Sequence, residues 1–340
     1  MDKFRLFYKY KLLNKYMKSD LFSNDAKREL EQHKSREKIN CIKSSYILKK
    51  VFNNLPKKRL LEIILNNNKL KSRLNIIIDD YKIFSAKYSS IEIEIIPAKN
   101  KYGKFIKILE ENDRPHYHIY FNDNKKEEIK KTFFTKDDYV SKINIIIDHK
   151  VKSMSNLFYY CECVESIDFK KFSRTNIENM ESIFSGCLLL KEINLDKFNT
   201  NNVTNMNYMF SGCSALTKVN LDNFNTENVK YMNSMFSGCS SLKEINISNF
   251  NTDNVIEMNS MFCGCASLEE LNLSNFNTEN VYDMNYMFYR CLSLKKLTLC
   301  NIKDIVKTKN MLSRCSDELE IRDRFGNVID KKLYVKEFEY

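Results

Sequence analysis

The sequence has no tryptophan, and only six glycines and three prolines in 340 residues. So little glycine and proline excludes a collagen-like chain and a Gly/Pro-rich low-complexity protein. No uninterrupted apolar run approaches the roughly 20 residues that a membrane helix needs, so no spanning segment and no membrane partner are expected. The opening MDKFRLFYKYKLLNKYM interrupts its apolar residues with lysine and arginine, which leaves no continuous apolar core for a secretory signal. Without such a signal, eleven cysteines, an odd number, read as reduced thiols of a cytoplasmic protein rather than a disulfide scaffold. Histidine is scarce, with four residues. No Gly-rich phosphate loop, nucleophile–base set or pair of carboxylates stands at a suggestive spacing. The sequence therefore predicts no enzyme, no cofactor and no small-molecule substrate.

The positive charge is unevenly placed. Residues 1–78 hold 20 Lys and Arg against 7 Asp and Glu, a balance of +13, whereas residues 151–340 hold 21 against 24, a balance of −3. The C-terminal half is thus no polycationic surface, and nucleic acid is not an expected partner there. Asparagine, lysine and isoleucine are abundant and read as AT-rich coding bias.

That half repeats. Cys161, Cys187, Cys213, Cys239, Cys265 and Cys291 lie 26 residues apart, and Met154, Met180, Met206, Met232, Met258 and Met284 keep the same step. So do Phe158, Phe184, Phe210, Phe236, Phe262 and Phe288. A shorter last unit ends in Met311 and Cys315, and VESIDFKKF and SKINIII read as degenerate openings. A fixed period of this size is the signature of stacked repeats. Within one unit, LKEINL or LTKVNL alternates as a short strand with its leucines inward. Val203, Met206, Met209, Phe210 and Cys213 then fall on one stripe of an expected short helix. Thr200 or Asn202 would cap that helix, and Gly212 would end it in a left-handed conformation. A single coil buries too little to offset the entropy of ordering it, so neighbouring coils must stack. The predicted fold is an α/β solenoid, a leucine-rich-repeat stack of about six strand–helix coils, preceded by a small helical segment and a short β element. In-register thiols point the same way among Met and Phe and cannot offer zinc a tetrahedron, so the cysteines are expected to be core.

Repeats of the form FNTxNVxxMxxMFxGCxSLxxINL resemble the BspA-like leucine-rich repeats, in the 26-residue version abundant in mycoplasma-type surface proteins. The resemblance covers about residues 140–315. It implies a repeat surface used for protein recognition, with no catalytic residues to carry over, and it implies display on a cell surface, which the missing signal does not support.

If the strands line an open face, its exposed positions form a candidate protein-binding strip: Glu192, Asn194, Lys218, Asn220, Glu244, Asn246, Glu270, Asn272 and Lys296. Asn194, Asn220, Asn246 and Asn272 would stack as an amide ladder, for which edge pairing is the simpler reading. Tyr208, Tyr231, Tyr282 and Tyr286 would lie on the helix side as surface residues.

Four segments are expected: a basic helical leader (1–85), a small β-rich capping segment (86–138), the solenoid (139–320) and a C-terminal cap or tail (321–340). Within the leader, ILKKVFNNLPKKRLLEIILNNNKLKSRL in residues 44–74 resembles an F-box, without the usual Leu-Pro entry and late Trp. The resemblance implies that Leu48, Phe52, Leu55, Pro56 and Leu61 contact a ubiquitin-ligase adaptor. In the capping segment IEIEII, KFIKIL and HYHIYF read as strands, and His116 and His118 share a strand face without an evident third metal ligand. The overall expectation is a non-catalytic protein–protein interaction module. The alternatives are an F-box-like substrate receptor and a cell-surface adhesin.

Overall fold

In the computed structural model the chain divides into two compact units, Met1–Ser85 and Ala86–Tyr340. The structure describes residues 89–148, 151–300, 302 and 306–330, all in the second unit. The basic leader, the F-box-like segment with Leu48, Phe52, Leu55, Pro56 and Leu61, and residues 331–340 lie outside the described residues.

The second unit begins with a mixed sheet. Its strands are β1 (Ile91–Pro97), β3 (Tyr117–Phe121), β5 (Ile143–Ile147), β6 (Val164–Lys171) and β7 (Glu192–Asn194), in the order β3-β5-β1-β6-β7. Alternation decides the inward face. Ile91, Ile93 and Ile95 of β1, and Ile143, Ile145 and Ile147 of β5, are buried, while the residues between them are half-covered. Pairing is antiparallel through β3, β5, β1 and β6, and turns parallel from β6 to β7. β6 is therefore both the last strand of the cap and the first rung of the repeats. SKINIII, read from the sequence as a repeat opening, is instead the antiparallel strand β5 of the cap. A two-stranded ribbon, β2 (Gly103–Lys104) with β4 (Phe133–Phe134), flanks the sheet.

Beyond β7 the coils stack in parallel. β8 (Glu270–Asn272), β9 (Lys296–Thr298) and β10 (Glu320–Arg322) form a parallel ladder, which β11 (Val328–Ile329) closes antiparallel to β10. The column Asn179, Asn205, Tyr231, Glu257, Asp283 and Lys307 is joined by parallel bridges from coil to coil.

The strand–helix coil expected from the sequence is not what forms. The helical elements among the described residues are two 3-10 turns in the cap, Glu111–His116 and Lys136–Asp138. Where a helix was predicted, alternate amides point out of the coil. Met206, Tyr208, Phe210 and Gly212 donate to the carbonyls of Tyr231, Asn233, Met235 and Ser237 in the next coil, at 3.0, 2.8, 2.8 and 2.7 Å. The amides between them close three-residue turns, Met209 to Met206, Ser211 to Tyr208 and Cys213 to Phe210. An α-helix needs each amide to reach the carbonyl four residues back, and here none of these does. Left-handed residues recur every four positions, Tyr208 (φ 57°) and then Gly212 (φ 74°), which no α-helix admits. The α/β solenoid is therefore replaced by a ribbon of turns and short strands. Met206, Met209, Phe210 and Cys213 are fully buried all the same, because a chain of three-residue turns puts the same 3, 1, 3 spacing on one side.

The predicted caps are corrected too. The Thr200 hydroxyl donates to the Asn225 carbonyl at 2.9 Å and accepts from the Asn225 amide at 2.8 Å, so it bridges coils rather than capping a helix. Thr226 and Thr252 repeat the bridge to Asn251 and Asn277, and all three threonines are buried. Asparagine, read from the sequence as coding bias, has structural work. The Asn249 amide nitrogen donates to the carbonyls of Leu221, Asp222 and Phe224, and Asn275 repeats this with Ile247, Ser248 and Phe250. Inside, Phe158, Phe184, Phe210, Phe236, Phe262 and Phe288 stack with centroids 5.3–6.0 Å apart.

Candidate functional site

The nine strip residues of the repeats, Glu192, Asn194, Lys218, Asn220, Glu244, Asn246, Glu270, Asn272 and Lys296, are all exposed. The inward neighbours Leu195, Leu221, Ile247 and Leu273 are buried, which holds the strip outward. Register aligns part of it: Glu270 lies opposite Lys296, and Lys296 opposite Glu320. The strip partly satisfies itself. Lys296 Nζ lies 2.6 Å from Glu270 Oε1, and that carboxylate holds the ammonium above its ordinary value. At the other end Lys191 pairs with Glu165 at 2.8 Å, with the same effect.

The asparagines do not bond one another as an amide ladder. Each closes its own turn: Oδ1 of Asn194, Asn220, Asn246 and Asn272 accepts the amide two residues on, at 2.9–3.2 Å. The nitrogen of Asn246 then donates to Asp222 of the preceding coil at 3.2 Å. Glu192, Lys218 and Glu244 appear in no ion pair among the described residues, so the strip keeps free charges from its first coil to its middle.

The ladder cysteines are structural: all six are free and buried. The thiol of Cys213 donates to the carbonyl of Phe184, that of Cys239 to Phe210 and that of Cys265 to Phe236, each at 3.2 Å. Burial pushes the Cys187 and Cys239 thiols up to about 12, away from the reactive thiolate. This packing shields the ladder thiols from solvent whatever the compartment. The cysteines therefore cease to argue for the cytoplasm.

The histidine pair has partners that its spacing did not reveal. His118 Nδ1 lies 3.2 Å from Glu128 Oε1 and Nε2 lies 3.6 Å from Asp148 Oδ2, while His116 Nδ1 lies 3.7 Å from the same oxygen. Among the described residues no group of three or more such side chains is arranged to hold a metal ion. Asp148 ties the cap to the first coil, since its carbonyl accepts from Nη1 of the buried Arg174 at 2.9 Å. Burial lowers that guanidinium to about 10.

Of the tyrosines named from the sequence, Tyr208, Tyr282 and Tyr286 are exposed and Tyr231 is half-buried. The Tyr282 hydroxyl donates to the Glu257 carboxylate, which pushes the phenol up to about 12. Sequence reasoning missed a second surface. On the cap, Tyr102, Phe133 and Tyr139 are 45%, 51% and 83% exposed. The available signal was the run PAKNKYGKFIKIL, residues 97–109, which carries four lysines and no acidic residue.

No curated protein and no solved structure matches this chain. A family model described as "Mycoplasma protein of unknown function, DUF285" matches residues 152–246 and 216–322. The two overlapping matches together span the stacked coils and half of the chain, and the chain belongs to the DUF285 family of Mycoplasma proteins of unknown function.

Proposed function

We propose that the chain is a non-catalytic protein–protein interaction module whose stacked coils present the exposed polar strip to a protein partner. The observation that supports this most is the placement of the strip. Nine polar side chains stand outward over a backbone pinned coil to coil by main-chain bonds, by the threonine bridges and by the asparagine amides. Such a backbone is ordered before it binds, so association costs little backbone entropy. Its free charges, Lys218 between Glu192 and Glu244, are the specificity-bearing part.

The test reverses these charges together in the full chain, Glu192→Lys, Lys218→Glu and Glu244→Lys, and compares immobilised native and variant protein. The reading expects at least one protein to be retained by the native chain and lost by a variant with an unchanged melting transition. Identical retained sets would remove the strip from the proposal.

A second reading of where the module works, display on the outside of a cell, rests on the resemblance of the repeats to BspA-like surface repeats. Limited proteolysis of intact cells expressing the chain decides between this and a cytoplasmic site. Cleavage without lysis supports display, and protection until lysis supports the cytoplasm.

A further inference from the structure

The cap carries a surface that the repeat strip does not explain. On the β2/β4 ribbon Lys104 lies directly opposite Phe133, and directly opposed residues share one face. The turn before β2 adds Lys99 and Lys101, both exposed, and then Tyr102. Among the described residues no carboxylate pairs with Lys99, Lys101 or Lys104. The ribbon is also held in place. Phe134 and Phe105 are buried behind it, and the Phe105 amide donates to the Thr132 carbonyl at 3.1 Å.

We propose that Lys104 and Phe133, which share one face of the ribbon, together with the adjoining exposed Lys99, Lys101 and Tyr102, bind the surface of an anionic phospholipid membrane. Unpaired ammonium groups beside exposed aromatic rings match the two layers of a lipid interface. The lysines reach headgroup phosphates while the rings lodge at the boundary with the acyl chains. Lys131 Nζ lies 6.0 Å from the centre of the Phe133 ring and is itself paired with Asp138, and Tyr102 packs edge-on against Phe134 at 6.1 Å. The attachment is peripheral. Among the described residues no helix is long and apolar enough to cross a membrane.

The test is sedimentation of the full chain with phosphatidylcholine vesicles, with and without phosphatidylglycerol. Residues 1–78 are basic and remain in every variant, so their contribution is constant. Binding is expected only with phosphatidylglycerol. Lys99→Glu with Lys101→Glu is expected to lower the partition coefficient about tenfold or more, since each lysine near an anionic surface is worth a several-fold factor. Tyr102→Ser with Phe133→Ser is expected to weaken binding also at high salt, where the charge attraction is screened. Lys99→Arg with Lys101→Arg is expected to bind as the native chain does. Native-like binding by both the charge-reversed and the aromatic variants would overturn the proposal. So would vesicle binding that persists in the variants while their binding of oligothymidylate or polyglutamate is lost, because the face would then belong to a nucleic acid or an acidic polypeptide.

Discussion

The thiol of Cys239 donates to the carbonyl oxygen of Phe210 in the preceding coil, 3.2 Å away and fully buried. The same bond recurs along the stack, so the cysteines fill a position that needs a small apolar group with one weak donor. Burial raises the Cys239 thiol from an ordinary value near 9 to about 12. A group raised on folding stabilises fully below its unfolded value and loses that contribution as pH rises towards the folded one. The protein should therefore keep its stability up to about pH 9 and then weaken, by about 1.4 kcal/mol per pH unit for each buried thiol. Denaturant unfolding between pH 8 and 11 measures this, and Cys239→Ala should reduce the slope. Half-exposed Cys263 and Cys315 should react with a thiol reagent before the ladder cysteines do.

Thr226 tests whether coil contacts are polar as well as apolar. Its hydroxyl serves both the amide and the carbonyl of Asn251, at 2.8 Å each. Thr226→Val keeps the shape and removes the partner of two part-buried backbone groups, a cost of up to about 1–3 kcal/mol each where water does not replace it. Thr226→Ser keeps the hydroxyl and should cost less. Hydrogen exchange at the Asn251 amide separates the two, with faster exchange expected only in the valine variant.

The period, the burial of Met, Phe and Cys, and the outward strip were legible in the sequence because all three depend on which side a residue faces. The backbone path was not. Val203, Met206, Met209, Phe210 and Cys213 fit an α-helical stripe, but the same stripe arises when alternate amides leave the coil for Tyr231 and Asn233. Side-chain spacing carries no record of where an amide donates. The partners of the strip asparagines were hidden for a related reason. Asn246 finds Asp222 only once the coils are in register. His118 likewise meets Glu128 and Asp148 across the cap rather than along its own strand.

Phe236 sits in the middle of the ring column, 5.5 Å from Phe210 on one side and 5.5 Å from Phe262 on the other. Phe236→Ala removes a fully buried ring between two coils and should cost about 3–5 kcal/mol. Phe236→Leu keeps most of the volume and should be milder. Urea unfolding gives both numbers. Because each coil leans on its neighbours, the alanine variant should broaden the transition as well as shift it, the two halves of the stack becoming less coupled.

Ser234 and Gly238 occupy the two left-handed positions of one coil, with φ of 53° and 74°. They predict different outcomes. At Gly238 a methyl group would meet Gly212 Cα at 3.4 Å and would also hold a left-handed backbone without glycine's freedom. Gly238→Ala should therefore destabilise by about 1–2 kcal/mol. Ser234 already bears the left-handed cost, so Ser234→Gly relieves it, and the gain is set against the extra chain entropy that glycine brings to the unfolded state. A small net change of either sign is expected there, against a clear loss at Gly238. If Gly238→Ala proves neutral in thermal and urea unfolding, neither the left-handed backbone nor the approach of Gly212 requires glycine at this position.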